Sequence, residues 1–251
     1  VHKIEIQTER NVSMKRLFAS FAILVLLALP GFAQQPAAAP PQPSTHHAVK
    51  TPPPPSADAI WADLMEGNKR FMAGKPKARQ LVSLRASLAS SQHPNVIVLA
   101  CSDSRVAPEL VFDKSLGELF VVRSAGNIAD AIGVGSIEYA VEHLGSSVLV
   151  VMGHTKCGAV TAACSGEKMP SANLQAIVDK IDPAVAIAAK SAKGNELIED
   201  AIVQNVHRSA QDVLASSEIL QHFVADGKLK VIEAEYQLDS GAVVRLDKAQ
   251  H

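Results

Sequence analysis

Ala100-Cys101-Ser102-Asp103-Ser104-Arg105-Val106 follows directly on the apolar run Val96-Ile97-Val98-Leu99. A β-branched and aliphatic run without alternation reads as a strand buried on both faces, here Asn95 to Ala100. Its end carries a thiol, with a carboxylate and a guanidinium two and four residues beyond. A second such run, Val148-Leu149-Val150-Val151, belongs to a strand predicted over Ser147 to Met152 and leads into Gly153-His154-Thr155-Lys156-Cys157-Gly158. Two strand ends therefore deliver two cysteines and one histidine.

Working outward, strands and helices alternate. Ser56 or Asp58 can cap a helix through Ile60, Trp61, Leu64 and Met65 to Phe71, with Gly74 as its stop. A second helix is predicted from Gln80 to Ser90, and a short one from Pro108 to Phe112, where proline suits a first turn. Glu118 to Arg123 reads as a strand closed by Ser124-Ala125-Gly126-Asn127. Gly135 to Leu144 reads as a helix, and another starts near Gly158. Asn195 to Ser216 is a long amphipathic helix, with Leu197, Ile198, Ala201, Ile202, Val206 and Val213 able to share one face. Leu229 to Leu238 and Ala242 to Leu246 are strands around the turn Asp239-Ser240-Gly241. The alternation predicts a single α/β domain with a mainly parallel central sheet flanked by helices. Such sheets bind ligands beyond the carboxyl ends of their strands, where both motifs stand.

The folded part is expected over residues 57–251. Before it, Met14-Lys15-Arg16, the apolar run Leu17 to Leu29 and the small residues of Gly31-Phe32-Ala33 have the parts of a cleaved secretory signal within residues 1–33, with Met14 as the true start. The run is short for a membrane span, so no stable anchor is expected after cleavage. Residues 34–56, proline- and alanine-rich, read as an extended spacer in which His46-His47 is a solvated pair. The expected location is therefore periplasmic or secreted. A net charge of −1 without a basic block argues against nucleic acid as a partner. Three cysteines in an exported chain leave one over in any disulfide framework, whereas thiols held by a metal explain their presence.

Zinc takes thiolate and imidazole ligands in tetrahedral geometry, and catalytic sites keep one position for water or substrate. Cys101, His154 and Cys157 are the candidate ligands: one tight turn presents His154 and Cys157, and Cys101 completes the set if the two strands are neighbours. The fourth position is then water or the carboxylate of Asp103. Zinc brings the pKa of a bound water to about 7, an effect that two thiolates weaken by neutralising the ion. Asp103 can orient the resulting hydroxide by accepting its proton in a hydrogen bond. Arg105 can pair bidentately with Asp103, keeping it ionised and off the metal. The other readings are buried structural thiols and a loop ion pair. Cys164, about two helical turns past Cys157, is too far to join the same tetrahedron and reads as a core residue.

The pattern Cys101-x-Asp103-x-Arg105 with His154-x-x-Cys157-Gly158 resembles the signature of the β-class carbonic anhydrases. The resemblance runs from Gly67-Asn68-Lys69-Arg70-Phe71 through Arg123-Ser124-Ala125-Gly126-Asn127 to the last strand pair. It implies zinc-dependent hydration of CO2 to bicarbonate and a proton, one Zn2+ per subunit, and a homodimer or dimer of dimers. It assigns Cys101, His154 and Cys157 as metal ligands and Asp103 and Arg105 as the catalytic dyad. Gln92, nine residues before Cys101, matches a substrate-binding glutamine of members with an open fourth position, and Phe120, Ala125, Tyr139 and Gly158 match their pocket. Val98 stands where bicarbonate-regulated members carry tryptophan, which also points to the open type; Ser124 departs from a common asparagine. His93 and His143 are conceivable proton relays or plain surface residues. Two alternatives stand beside it: the scaffold also resembles carbon disulfide or carbonyl sulfide hydrolases, and a different class of reading is a zinc-holding module without turnover, against which Asp103 and Arg105 argue.

Overall fold

The computed structural model describes residues 55–246. The leader reading, His46-His47 and all of the spacer before Pro55-Ser56 lie outside the described residues. Strand β1, Val96–Cys101, is buried along its whole length because it has a parallel neighbour on each side and helices on both faces. Its neighbours are β2, Leu119–Ser124, and β3, Val148–His154; beyond β3 lie β4, Lys230–Tyr236, parallel, and β5, Val243–Arg245, antiparallel. The order is β2-β1-β3-β4-β5, so β2 forms an edge of the sheet.

Side chains that alternate along β1 and β3 feed two cores. Val96, Val98, Val148, Val150 and Met152 pack against α1, Ala57–Met72, and α3, Pro108–Val111. Ile97, Leu99, Leu149 and Val151 pack against α4, Ala131–Glu142, α7, Asn195–Ala215, and α8, Glu218–Ala225. The link from β1 to β2 therefore runs over one face and the link from β2 to β3 over the other. The chain reverses its direction of travel across the sheet at β1, which opens a crevice beyond the carboxyl ends of β1 and β3. Register does the rest: Ala100 lies opposite Met152, so Cys101 and His154 end their strands within one residue of the same level of the sheet.

Most expected elements are present, with shifted ends. Ser56 caps α1, its hydroxyl accepting from the Ala59 N–H at 3.2 Å. Helix α2 is shorter than expected, Leu81–Ser87, and none of its residues is buried. Helix α4 starts at Ala131 rather than Gly135, because the Asp130 carboxylate takes the Gly133 N–H at 2.9 Å. Two helices escaped the pattern reading: α6, Ala172–Ala188, and α8. Pro183 interrupts α6 in the sequence, although Val178, Ile181, Ala184 and Ala188 keep one buried stripe across it. Helix α8 is short and buries only Leu220, so its pattern is weak. Asn68 bolts α1 to the sheet end, donating to the carbonyls of Val111 and Gly241 at 3.1 and 2.8 Å and accepting from the Val243 N–H at 3.0 Å.

Candidate metal centre

Cys101 closes β1, His154 closes β3, and Cys157 stands immediately before α5, Gly158–Ser165. Between the last two, Lys156 adopts φ of 57°, the tight turn that lets His-x-x-Cys converge. The three ligand atoms lie within 4.8 Å of one another and all three residues are buried. The His154 ring is wholly enclosed; its Nδ1–H donates to the Thr155 carbonyl at 2.9 Å, which fixes the tautomer and leaves Nε2 as an acceptor. Among the described residues that Nε2 has no hydrogen-bond partner, and an unsatisfied buried nitrogen is costly. It faces two sulfurs, the donor set zinc prefers.

The sulfurs point the same way. Sharing the Cys157 proton, with the Gly126 N–H also facing its sulfur, holds the Cys101 thiol below its ordinary range against the cost of burial. The same sharing, together with burial, pushes Cys157 up. The pair holds one proton where a divalent cation would displace it and leave two thiolates. The residues present thus fit zinc by donor type, spacing and the unpartnered imidazole nitrogen.

Asp103 sits at the mouth. Arg105 grips its carboxylate with three hydrogen bonds: backbone N–H and Nε to Oδ1, both 2.9 Å, and Nη2 to Oδ2 at 2.7 Å. Those bonds hold Asp103 well below the usual carboxylate range. Its Oδ2 lies 3.9 Å from His154 Nε2. The loop that carries it is tied to β2 by Arg123, whose Nε donates to the Cys101 carbonyl at 2.9 Å and whose Nη2 donates to the Asp103 carbonyl at 2.7 Å. Pattern reading assigned Arg123 no separate role, because its partners are main-chain carbonyls that no motif displays. Ser124, the departure from asparagine, donates its hydroxyl to the Ile128 carbonyl and so spans the turn Ala125–Asn127.

The structure brings together Cys101, His154, Cys157, Asp103 and Arg105. Gly158 follows Cys157 at the start of α5, and Ala125 follows Ser124, the residue opposite Cys101 in the sheet. Ala125 helps line a largely apolar hollow with Val122, Ile128, Ala129 and Ile177. Gln92, Phe120 and Tyr139 are elsewhere in the same chain. Phe120 pairs with Ile97, four residues and about 13 Å up the strand from Cys101. Tyr139 lies against Phe120 with ring centroids 6.4 Å apart, and it shares a surface hollow with Gln92 and His93. His143 stacks on Tyr139 at 5.3 Å, so both conceivable relay histidines belong to that far end. Cys164 packs with the core behind the site, where burial pushes its thiol up, and it is not among the converging ligands.

A buried Cys-His-Cys trio at the switch point of a parallel sheet, with a clamped carboxylate beside it, defines an α/β metalloenzyme of the zinc type. Residues 96–243 match the family model described as carbonic anhydrase. The chain is 38% identical over 193 residues to carbonic anhydrase 2 of Mycobacterium tuberculosis, covering 75% of this chain and 92% of that one. It is 34% identical to a carbonic anhydrase of Pseudomonas aeruginosa, covering 74% and 88%. Among solved structures, a Coccomyxa β-carbonic anhydrase in complex with acetazolamide superposes with a TM-score of 0.59 at 27% identity, over 76% of this chain and 83% of its own. This chain belongs to the carbonic anhydrase family, in its β class.

Proposed function

We propose that the chain is an open-site carbonic anhydrase that works as an exported homodimer. Its reaction is the reversible hydration of CO2 to bicarbonate and a proton, with zinc as cofactor. The observation that carries the reading is the unpartnered Nε2 of His154 facing two sulfurs, beside a carboxylate that another residue holds back. Cys101, His154 and Cys157 hold the ion. When bound, zinc supplies a Lewis acid that brings a water at its free position to a pKa of about 7.

The remaining work belongs to the chain. Ionised Asp103 offers Oδ2 as a hydrogen-bond acceptor at the mouth of the site, where it can hold a proton donor in one orientation. Arg105 keeps that carboxylate charged and turned toward itself, which supports an open fourth position. Arg123 fixes the backbone under both. Apolar walls at Ala125 and Ile128 suit CO2, which has no net dipole to reward polar contacts.

The homodimer rests on the placement of Gln92, Phe120 and Tyr139 and on β2 being an edge strand. Antiparallel pairing of β2 with a second copy about a two-fold axis brings the amino end of one β2 beside the carboxyl end of the other. That juxtaposition carries the second copy's Phe120, with Tyr139 and Gln92, toward the metal end of the first. Exposed Ile132, 78% accessible, and Val82, 75% accessible, stand on helices flanking this edge and are suited to cover. Export rests on the Met14 to Ala33 pattern.

Stopped-flow CO2 hydration with metal analysis tests the reading. Activity should track zinc at one ion per chain and collapse in Cys101→Ser. Turnover that survives complete metal removal refutes it, as does release of sulfide from carbonyl sulfide or carbon disulfide in place of CO2 hydration. Sedimentation should give a dimer; a fully active monomer overturns the shared site. Amino-terminal sequencing of protein recovered from the periplasm should begin after Ala33.

A further inference from the structure

Asn205 lies in the middle of α7, 1% exposed, between the core residues Ile202 and Val206. Asparagine is a poor helix former, and a buried amide needs partners. Its Nδ2 donates to the Gly126 carbonyl at 2.8 Å and stands 3.5 Å from Asn127 Oδ1, linking residues 79 positions apart. The turn it grips runs through the left-handed region, which glycine enters freely and asparagine tolerates. Gly126 has φ of 75° and ψ of 22°, Asn127 follows with φ of 47°, and a Cβ on Gly126 would meet Ile181 Cδ1 at 2.7 Å. That same Gly126 donates its N–H to Cys101 Sγ at 3.3 Å. Two hydrogen bonds therefore run in sequence from α7, through one glycine, to the sulfur of a metal ligand.

We propose that Asn205 is a positioning residue for the metal centre: by pinning Gly126 it keeps an N–H on Cys101 Sγ and so sets how strongly that thiolate donates to the metal. An N–H aimed at a thiolate stabilises the sulfur lone pairs and lowers their donation, and such outer partners orient and tune first-sphere ligands. The alternative is a purely structural amide that ties α7 to a turn. The two differ in what the metal senses. The inference rests on Cys101 being a ligand, and the experiment reports on that separately.

Cobalt replaces zinc in the wild-type protein, and one bound ion with a sulfur-to-cobalt charge-transfer band establishes the thiolate site. Asn205→Leu keeps the approximate volume and removes the donor. Its band should move to longer wavelength, because the sulfur lone pairs rise in energy once the N–H no longer faces them. Ser209→Ala, on the same buried face of α7 one turn on, perturbs the helix without touching Gly126 and should leave the band in place. An unmoved band in Asn205→Leu, or an equal shift in Ser209→Ala, overturns the inference while leaving the metal site intact. No cobalt uptake by the wild type overturns the site and the inference together. Should Asn205→Leu fail to fold, wild-type protein loaded with an NMR-active cadmium isotope provides the readout. A scalar coupling between the metal and the Gly126 amide proton supports the inference, and its absence overturns it.

Discussion

Arg105→Ala tests whether a guanidinium holds the Asp103 carboxylate away from the metal, as the proposed open site requires. Two ligands of a tetrahedral zinc, at about 2.0–2.2 Å from the ion, stand about 3.4 Å apart. Asp103 Oδ2 is 3.9 Å from His154 Nε2. The two atoms are thus about half an ångström farther apart than two ligands of one zinc would be, so a small rotation of the Asp103 side chain can bring its carboxylate to a bound ion. Three hydrogen bonds from Arg105 oppose that rotation. Only the one from its backbone N–H survives truncation to alanine. The variant should retain one zinc per chain, bind it at least as tightly as the wild type, and lose about 10- to 100-fold in CO2 hydration by stopped flow, the range for losing a residue that orients a metal's surroundings. Arg105→Lys keeps the charge but not the planar fork, so it should fall between. Because Arg105 acts through Asp103, Arg105→Ala should cost little further in an Asp103→Ala background, a coupling that a double-mutant cycle reads directly. Fully metallated Arg105→Ala turning over at the wild-type rate refutes the clamp.

Two further predictions concern the scaffold that carries the site. A Cβ on Gly153, the residue before His154, would lie 2.5 Å from Val206 Cγ2 in the packed face of α7. Gly153→Ala should lose about 1–3 kcal/mol of stability from overpacking, and Val206→Ala should relieve part of that loss, so that chemical denaturation shows a favourable coupling of at least about 0.5 kcal/mol; strict additivity refutes the contact. Asp113 is buried, which alone would raise its pKa, but Arg70 and Arg79 outweigh burial and hold it at about 2 against an ordinary value of 3.8. Its folded pKa is depressed, so its contribution, about 2 kcal/mol, is present above about pH 4 and is lost as pH falls toward about 2. Denaturation curves of wild type and Asp113→Asn should differ at neutral pH and converge in acid; a constant gap across that window counts against the ion-pair account.

How much of this was legible in the chain differs between particular residues. Val96 to Leu99 and Val148 to Val151 announce buried strands because each has helices on both faces and needs no polar side. His154-x-x-Cys157 announces a ligand pair because one turn joins them. Helix α6 was hidden because Pro183 breaks the pattern while tertiary packing keeps the stripe around it. Asn205 looked like an interruption of an apolar face; its meaning depends on Gly126, which packing brings to it from 79 positions away.

Sequence alone determined the existence of the two buried strands, the metal-ligand chemistry and the Asp103–Arg105 pairing, because these are local: each depends on residues within a few positions. Tertiary structure decided that β1 and β3 are neighbours in register, since strand order follows from which faces the crossover helices can cover. It also decided that Nε2 of His154, rather than Nδ1, is free for a metal, because only the folded turn offers the Thr155 carbonyl to the other nitrogen. And it separated Phe120 and Tyr139 from Cys101 by the length of a strand, a distance that spacing along the chain does not express.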